Sequence, residues 1–435
     1  MYYCFVFNYV VKKRIYAFVR LLMFSLLVIA PMKFVKAAEI HTASSLYNAM
    51  DKVVYQVRII DIASNDKATI GSGFNVGSSG LVATNYHVIS LALLEPDKYR
   101  IVLITNDDDE INAEIVNIDV LHDLAVLRPE QTLNSGIPFA NQELSKGEKV
   151  FSIGNPLDLG MSVVEGNFNG LVKTSRFRRF LFSGSLNPGM SGGPAFNDKG
   201  ELIGINVATG GEQISFLVPA QHLKNLLLNS QDVSQINLLS KIESDLFDEQ
   251  NSFYGGMLND EWEIQEFGKI KLPHDLNLSM KCWGHNVDEE DIEYEGFHQH
   301  CRSEEYIFIK NSFYTGNFSY DYEWVSTENL NSLQFYSVVE SRFTHANLYN
   351  AYDEEDVSKF SCETNFVTIN GSNWKASTCL RQYKEFQNIY DATLLLVSLN
   401  ENDSAAVLKM SSTGVSKANA ISMFGKLMRS LSWVN

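Results

Sequence analysis

One stretch constrains the fold more than any other: Asn187-Pro188-Gly189-Met190-Ser191-Gly192-Gly193-Pro194. A serine set among glycines has no bulky neighbour over its hydroxyl. Glycines also let the backbone turn sharply and bring N–H groups close to a ligand. A nucleophilic serine with an oxyanion hole needs both properties, although a plain Gly-rich hairpin turn has the same composition. The residues after Ser191 narrow the choice. Ala195-Phe196, the turn Asn197 to Gly200 and the apolar run Leu202 to Val207 form a hairpin pattern. An α/β-hydrolase elbow requires a helix directly after the serine, with the acid and the histidine downstream. Pro194, the turn that follows and the lack of an upstream β/α alternation argue against it.

The upstream chain reads as short strands punctuated by turns. A short helix is expected over residues 42–52, then a strand from Val53 to Ile62. Gly71 to Val76 and Leu81 to Asn85 form a hairpin around Ser78-Ser79-Gly80, and it runs into Tyr86-His87-Val88-Ile89. Ile101 to Ile104 and Ile111 to Ile118 form another, with the acidic tip Asp107 to Glu110 in solvent. Asp123 directly precedes the apolar strand Leu124 to Leu127. Regularly spaced short strands indicate an all-β barrel or sandwich. Pro219 opens a helix, Ala220 to Leu228.

A serine hydroxyl needs a base within hydrogen-bond reach, and that base needs an orienting acid. His87 and Asp123 each fall at the end of a β segment. With Ser191 they follow the order His, Asp, Ser. As isolated residues they read equally as a core histidine and a strand-start cap. His122 is expected to point away from Asp123 and be exposed.

Five blocks in register then resemble the HtrA (Deg) branch of the trypsin-like serine proteases. They are Gly71-Ser72-Gly73-Phe74, Thr84 to Ile89, His122 to Leu127, Gly154-Asn155-Pro156 and Asn187 to Pro194, and they cover residues from about 50 to about 229. The resemblance implies a mostly β fold, with two six-stranded barrels and the active site in the cleft between them. It implies His87 as general base, Asp123 as its orienter, Ser191 as nucleophile, and the N–H groups of Gly189 and Ser191 as oxyanion hole. Ile205, Asn206, Val207 and Ala208 are then expected to line a small, mostly apolar substrate pocket.

Two departures stand out. Met190 occupies a position where the family pattern carries Asn or Asp, so an activating salt bridge to a new N-terminal amine has no carboxylate there. No Gly-Leu-Gly-like carboxylate loop of a PDZ domain follows the helix. Arg176, Arg178 and Arg179 cluster on a loop, where a solvated patch and a contact with an acidic partner both fit.

The rest of the chain sets the context. A length of 435 residues implies two folded domains and a leader. Residues 1–37 carry six basic residues and no acid, an apolar run from Leu21 to Ala30 and the small-residue site Val35-Lys36-Ala37. They read as a signal peptide cleaved before Ala38, or as an uncleaved anchor, the chain's one route to a membrane. The protein is therefore expected to be exported, to the periplasm or beyond. A net charge of −17 argues against nucleic-acid binding.

The expected domains are 38–229 for the protease, 230–258 for a polar linker with one amphipathic stretch, and 259–435 for an α+β domain closed by a helix over 416–430. Four cysteines lie in the last part, Cys282, Cys301, Cys362 and Cys379. An even count in an exported chain reads as two disulfides, with three connectivities available. Pairing of sequence neighbours is the expectation. Cys282 to His285 and His298 to Cys301 also have zinc-ligand spacing, but export favours the disulfide, and the acids Asp288 to Glu295 read as a solvated loop.

The functional expectation is a cofactor-free serine endopeptidase acting on polypeptides, in HtrA-like quality control or processing. Homo-oligomeric assembly is left open. The alternative is a catalytically silent protease-like binding module whose C-terminal domain carries the function.

Overall fold

The computed structural model describes residues 42–133, 135–230, 238–277, 279–287, 293–344 and 352–434. The leader, residues 231–237 and most of the acid-rich segment 288–295 lie outside them.

After helix α1 (Ala43–Met50), capped by Thr42, come β1 (Val54–Asp61), β2 (Lys67–Asn75), β3 (Val82–Thr84), helix α2 (Tyr86–Leu94), β4 (Tyr99–Ile104), β5 (Glu110–Asp119) and β6 (Leu124–Pro129). The strands close into a six-stranded antiparallel barrel in the order β1-β2-β3-β6-β5-β4. The second barrel uses β7 (Lys149–Gly154), β8 (Ser162–Leu171), β9 (Phe180–Phe182), β10 (Pro194–Phe196), β11 (Leu202–Gly211) and β12 (Ile214–Pro219), and closes as β10-β11-β12-β9-β8-β7. Helix α3 (Ala220–Leu228) follows Pro219.

Burial explains why β6 reads as a continuous apolar run. Ala125 and Leu127 fill the first barrel, whereas Leu124 and Val126 join Phe151, Ile153, Phe196 and Ile205 in a core shared by both barrels. A strand covered on both faces loses the polar alternation of a half-exposed one. Met190 is fully buried with Val150, Phe182 and Leu217 inside the second barrel. An apolar side chain there plugs the core where the family pattern carries a polar one.

The C-terminal half is α+β. Its elements are α4 (Leu238–Asn259), β13 (Glu263–Phe267), β14 (Ile270–His274), β15 (Met280–Val287), β16 (Glu295–Ser303), β17 (Ile307–Lys310), β18 (Phe313–Thr315), β19 (Phe318–Ser326), α5 (Ser332–Thr344), β20 (Ser361–Ile369), β21 (Ser372–Gln382), β22 (Tyr390–Ser398), β23 (Ser404–Val415), α6 (Lys417–Ser430) and β24 (Ser432–Trp433). A seven-stranded sheet runs β15-β16-β19-β23-β22-β21-β20. Leu394 and Leu396 of β22 pack with α4 and α6 on one face; Leu395 and Val397 pack under α5 on the other. Cys282–Cys301 and Cys362–Cys379 are bonded, each across directly opposed residues of neighbouring strands, β15 with β16 and β20 with β21.

The linker expectation needs correcting. Within 230–258, all the described residues from Leu238 onward belong to α4. Its Ile242 and Leu246 sit in the first-barrel cluster, and Phe253, Tyr254 and Met257 sit in the C-terminal core. The acids between them mask a helical stripe that only a partner surface reveals. The Arg176 cluster is not simply solvated. Arg176 pairs with Glu249, Arg179 pairs with Glu305, and Arg178 is exposed.

Candidate active site

His87 stands in the first turn of α2, not at a strand end as its β-branched neighbours suggest. Tyr86, Val88, Ile89 and Ala92 are all buried, and that packing overrides local preference. Asn85 precedes the helix, and its Nδ2 donates to the Asp123 carbonyl at 2.8 Å, so the strand end and the Asp123 turn move as one. Asp123 adopts φ 57°, in the left-handed region, and is 8% exposed. Its two carboxylate oxygens are both used. Oδ1 accepts the His87 backbone N–H at 2.8 Å, and Oδ2 meets Nδ1 of the His87 ring at 2.6 Å. An ionised carboxylate can only accept, so this bond puts a ring proton on Nδ1, and in the neutral ring it is Nε2 that then carries the lone pair.

The Ser191 turn lies against the same frame. The Ser72 N–H donates to the Ser191 carbonyl at 2.7 Å, and Thr84 Oγ1 donates to the Ser72 carbonyl at 2.7 Å. At Gly192, φ +84°, an added Cβ would stand 2.3 Å from that same carbonyl and 2.4 Å from Thr84 Oγ1. Gly189, φ +94°, would drive a Cβ to 2.3 Å from the Asn155 carbonyl. Both positions therefore need glycine for space as well as for conformation. Ser191 is itself half-buried, and no hydrogen bond joins its Oγ to His87 among the described residues. Contacts of this kind are often long in ligand-free sites and tighten around substrate.

The turn also sorts its N–H groups. The Pro188 carbonyl accepts from Leu157 N at 2.8 Å, and the Gly189 carbonyl accepts from Ser72 Oγ at 2.7 Å. The Met190 carbonyl accepts from Asn206 Nδ2 and Gly193 N, each at 3.1 Å. In a trans peptide the N–H points opposite to the carbonyl. The N–H groups of Gly189 and Ser191 are thus turned away from these anchors. Among the described residues neither has a protein acceptor, whereas Met190 N, Gly192 N and Gly193 N all do.

Residues 71–205 match the family described as trypsin-like peptidase domain. This stretch is a trypsin-like peptidase domain. Over 168 residues the chain is 34% identical to a protein of Bartonella henselae named "Probable periplasmic serine endoprotease DegP-like", a match covering 36% of this chain and 32% of the relative. A relative of the same name from Halomonas elongata is 34% identical over 188 residues, 40% of this chain and 38% of that one. The chain thus spans only 32% and 38% of the lengths of these two relatives. A serine endoprotease from Yersinia pestis of known structure aligns at 30% identity with a TM-score of 0.38, over 43% of this chain and 66% of that one.

The expected pocket residues divide. Ile205 and Val207 of the peptidase domain point into the shared core. Asn206 is fully buried, accepts from Ser152 Oγ at 2.8 Å and holds the Met190 carbonyl. Its side chain supports the serine turn instead of facing a cleft. Ala208 is exposed. The side chains of Ile205, Asn206 and Val207 are thus removed from the lining.

His122 is also not exposed as expected. Its Nδ1 meets Asp119 Oδ2 at 2.7 Å, and its ring stacks on His222 at 3.7 Å. Burial pushes the His222 imidazole down to about 4, helped by the neighbouring charges of His122 and Arg178 and opposed by Asp119.

Sequence reasoning missed Ser72 as the brace of the serine turn. It lies inside the quoted Gly71-Ser72-Gly73 block, but its role depends on Asn155 and Gly189, which are remote in sequence. It missed Phe308 altogether. That ring, from the C-terminal half, stands edge-to-face on His87 with centroids 5.9 Å apart.

Proposed function

We propose that the chain is an exported serine endopeptidase that hydrolyses peptide bonds of polypeptides through an acyl-enzyme, in HtrA-like quality control or processing. The observation that carries this reading is the 2.6 Å bond from Asp123 to His87 Nδ1, set beside a glycine-flanked serine turn with two N–H groups free on one side. In the proposed reaction, His87 Nε2 takes the proton of Ser191 Oγ as the oxygen attacks the scissile carbonyl. Asp123 holds the tautomer and stabilises the imidazolium that forms. Gly189 N–H and Ser191 N–H donate to the oxyanion, each contributing about 3 kcal/mol to the transition state. The C–N bond breaks as His87 returns the proton to the leaving amine; water, deprotonated by His87, then attacks the acyl carbonyl, and the C–Oγ bond breaks as the proton goes back to Ser191. Every proton and electron pair is accounted for by these groups, so the reaction calls for no cofactor.

The test is Ser191→Ala in the full chain. Casein hydrolysis should fall by at least about 10⁴-fold and labelling by a fluorophosphonate should vanish. Hydrolysis at the wild-type rate, or labelling of another serine, overturns the assignment. A folded wild-type chain that neither cleaves nor takes the probe supports the silent binding-module reading instead.

A further inference from the structure

The C-terminal half reaches the catalytic pair through one hairpin. Strands β17 and β18 pair Phe308 with Tyr314 and Ile307 with Thr315. One face of the hairpin, Ile307, Ile309 and Phe313, is buried in the cluster that holds Tyr86, Val88 and Ile89 of α2. Tyr86 Oη donates to the Ile309 carbonyl at 2.9 Å and locks the hairpin to the helix that carries His87. The other face is aromatic and continuous. Phe308 meets His87 at 5.9 Å, Tyr314 meets Phe308 at 5.4 Å, and Tyr306 meets Tyr314 at 4.6 Å, all edge-to-face.

Anchoring the hairpin accounts for its buried face and for Phe308. It does not account for the rings beyond. Tyr306 is 54% exposed and Tyr314 is 37% exposed, so two aromatic side chains stand in water in a line that ends on His87. A row of exposed rings of this kind gains free energy by covering an apolar group, and their hydroxyls keep the surface wettable when nothing is bound. A polypeptide bound for cleavage must pass His87, so its nearest side chains are what this surface meets.

We propose that Phe308, Tyr314 and Tyr306 form a subsite for an aromatic or large aliphatic side chain of the polypeptide, at a residue flanking the scissile bond on the His87 side. The inference rests on the endopeptidase reading. It makes the C-terminal half a determinant of substrate choice that reaches the cleft from outside the two barrels. A pocket contact of this size discriminates by about tenfold or more.

The test uses the full chain and fluorogenic peptides in which each residue flanking the scissile bond is varied between Phe and Gly. At one of those positions wild type should prefer Phe by about tenfold in kcat/KM. The surface variants Tyr306→Ala and Tyr314→Ala should lower that preference, and together bring it close to one. Phe308→Ala should do the same, and Phe308→Leu, which keeps the packing on Tyr86, should restore most of it. Cleavage without a preference at any flanking position, or with one that survives the double variant, overturns this inference and leaves the endopeptidase reading standing. A wild-type chain that shows neither cleavage nor fluorophosphonate labelling overturns both.

Discussion

Arg176 and Glu249 form a two-pronged ion pair that ties the loop between β8 and β9 to helix α4. Arg176 Nε donates to Oε1 at 2.6 Å, and its Nη2 donates to Oε2. Nη1 reaches the Gly316 carbonyl at 2.6 Å, and the guanidinium lies 3.6 Å from the centre of the Phe253 ring. On either side of Arg176, Glu305 accepts from Ser175 Oγ at 2.7 Å and from the Phe177 N–H at 3.1 Å. The loop is held by carboxylates of the C-terminal half on both sides.

Removing one partner of a buried pair leaves a desolvated charge, which costs more than the pair contributes. The two side chains are only 7% and 13% exposed. Glu249→Ala should therefore destabilise the full chain by about 3–5 kcal/mol in urea denaturation. Replacing both charges, as Arg176→Met with Glu249→Leu, should cost far less. A Glu249→Ala variant within 1 kcal/mol of wild type, on the scale of an exposed pair, would show that the bridge contributes little.

Ser72 bridges the serine turn and the end of β7. Its Oγ donates to the Gly189 carbonyl at 2.7 Å and accepts the Asn155 N–H at 3.0 Å, and the residue is fully buried. Ser72→Ala frees the Gly189–Met190 peptide, which lies between the two N–H groups proposed to form the oxyanion hole. A misplacement on the order of 1 Å lowers rates by about 100-fold. The loss is expected in kcat, with KM nearly unchanged, because the oxyanion exists only in the transition state. An unaltered kcat, or a change confined to KM, would count against a positioning role.

His222 makes stability depend on pH. Its pKa is about 4 in the folded protein against 6.5 unfolded, so between those values the unfolded chain binds the extra proton. Stability is then complete above pH 6.5 and is lost as pH falls towards 4. The ring is partly exposed, which reduces the contribution to about 1–2 kcal/mol. Urea denaturation at pH 7 and pH 5 should show the drop, and His222→Gln should flatten that part of the profile. An equal drop in the variant would place the titration elsewhere.

The sequence by itself determined the β character of residues 54–219, and its resemblance implied the two barrels and the candidate serine turn. Strand alternation, the punctuating glycines and prolines and the Pro194 hairpin are local signals, and they carry the fold of residues 54–219. The order of His87, Asp123 and Ser191 named the candidate groups. Cysteine count and the expectation of export led to the two disulfides that the strands then bring face to face. Only the tertiary structure decided what depends on partners distant in the chain. Burial under the C-terminal hairpin makes a helix of the His87 segment despite its β-branched residues. The barrel core draws Ile205 and Val207 inward and fixes Asn206 as a brace. The acid-rich stretch before residue 259 becomes a long helix because two cores cover its apolar stripe. The aromatic row on His87 joins residues more than 200 positions apart, a proximity that no local pattern encodes. Local propensity acts over a few residues, whereas packing energy is summed over whatever the fold brings together.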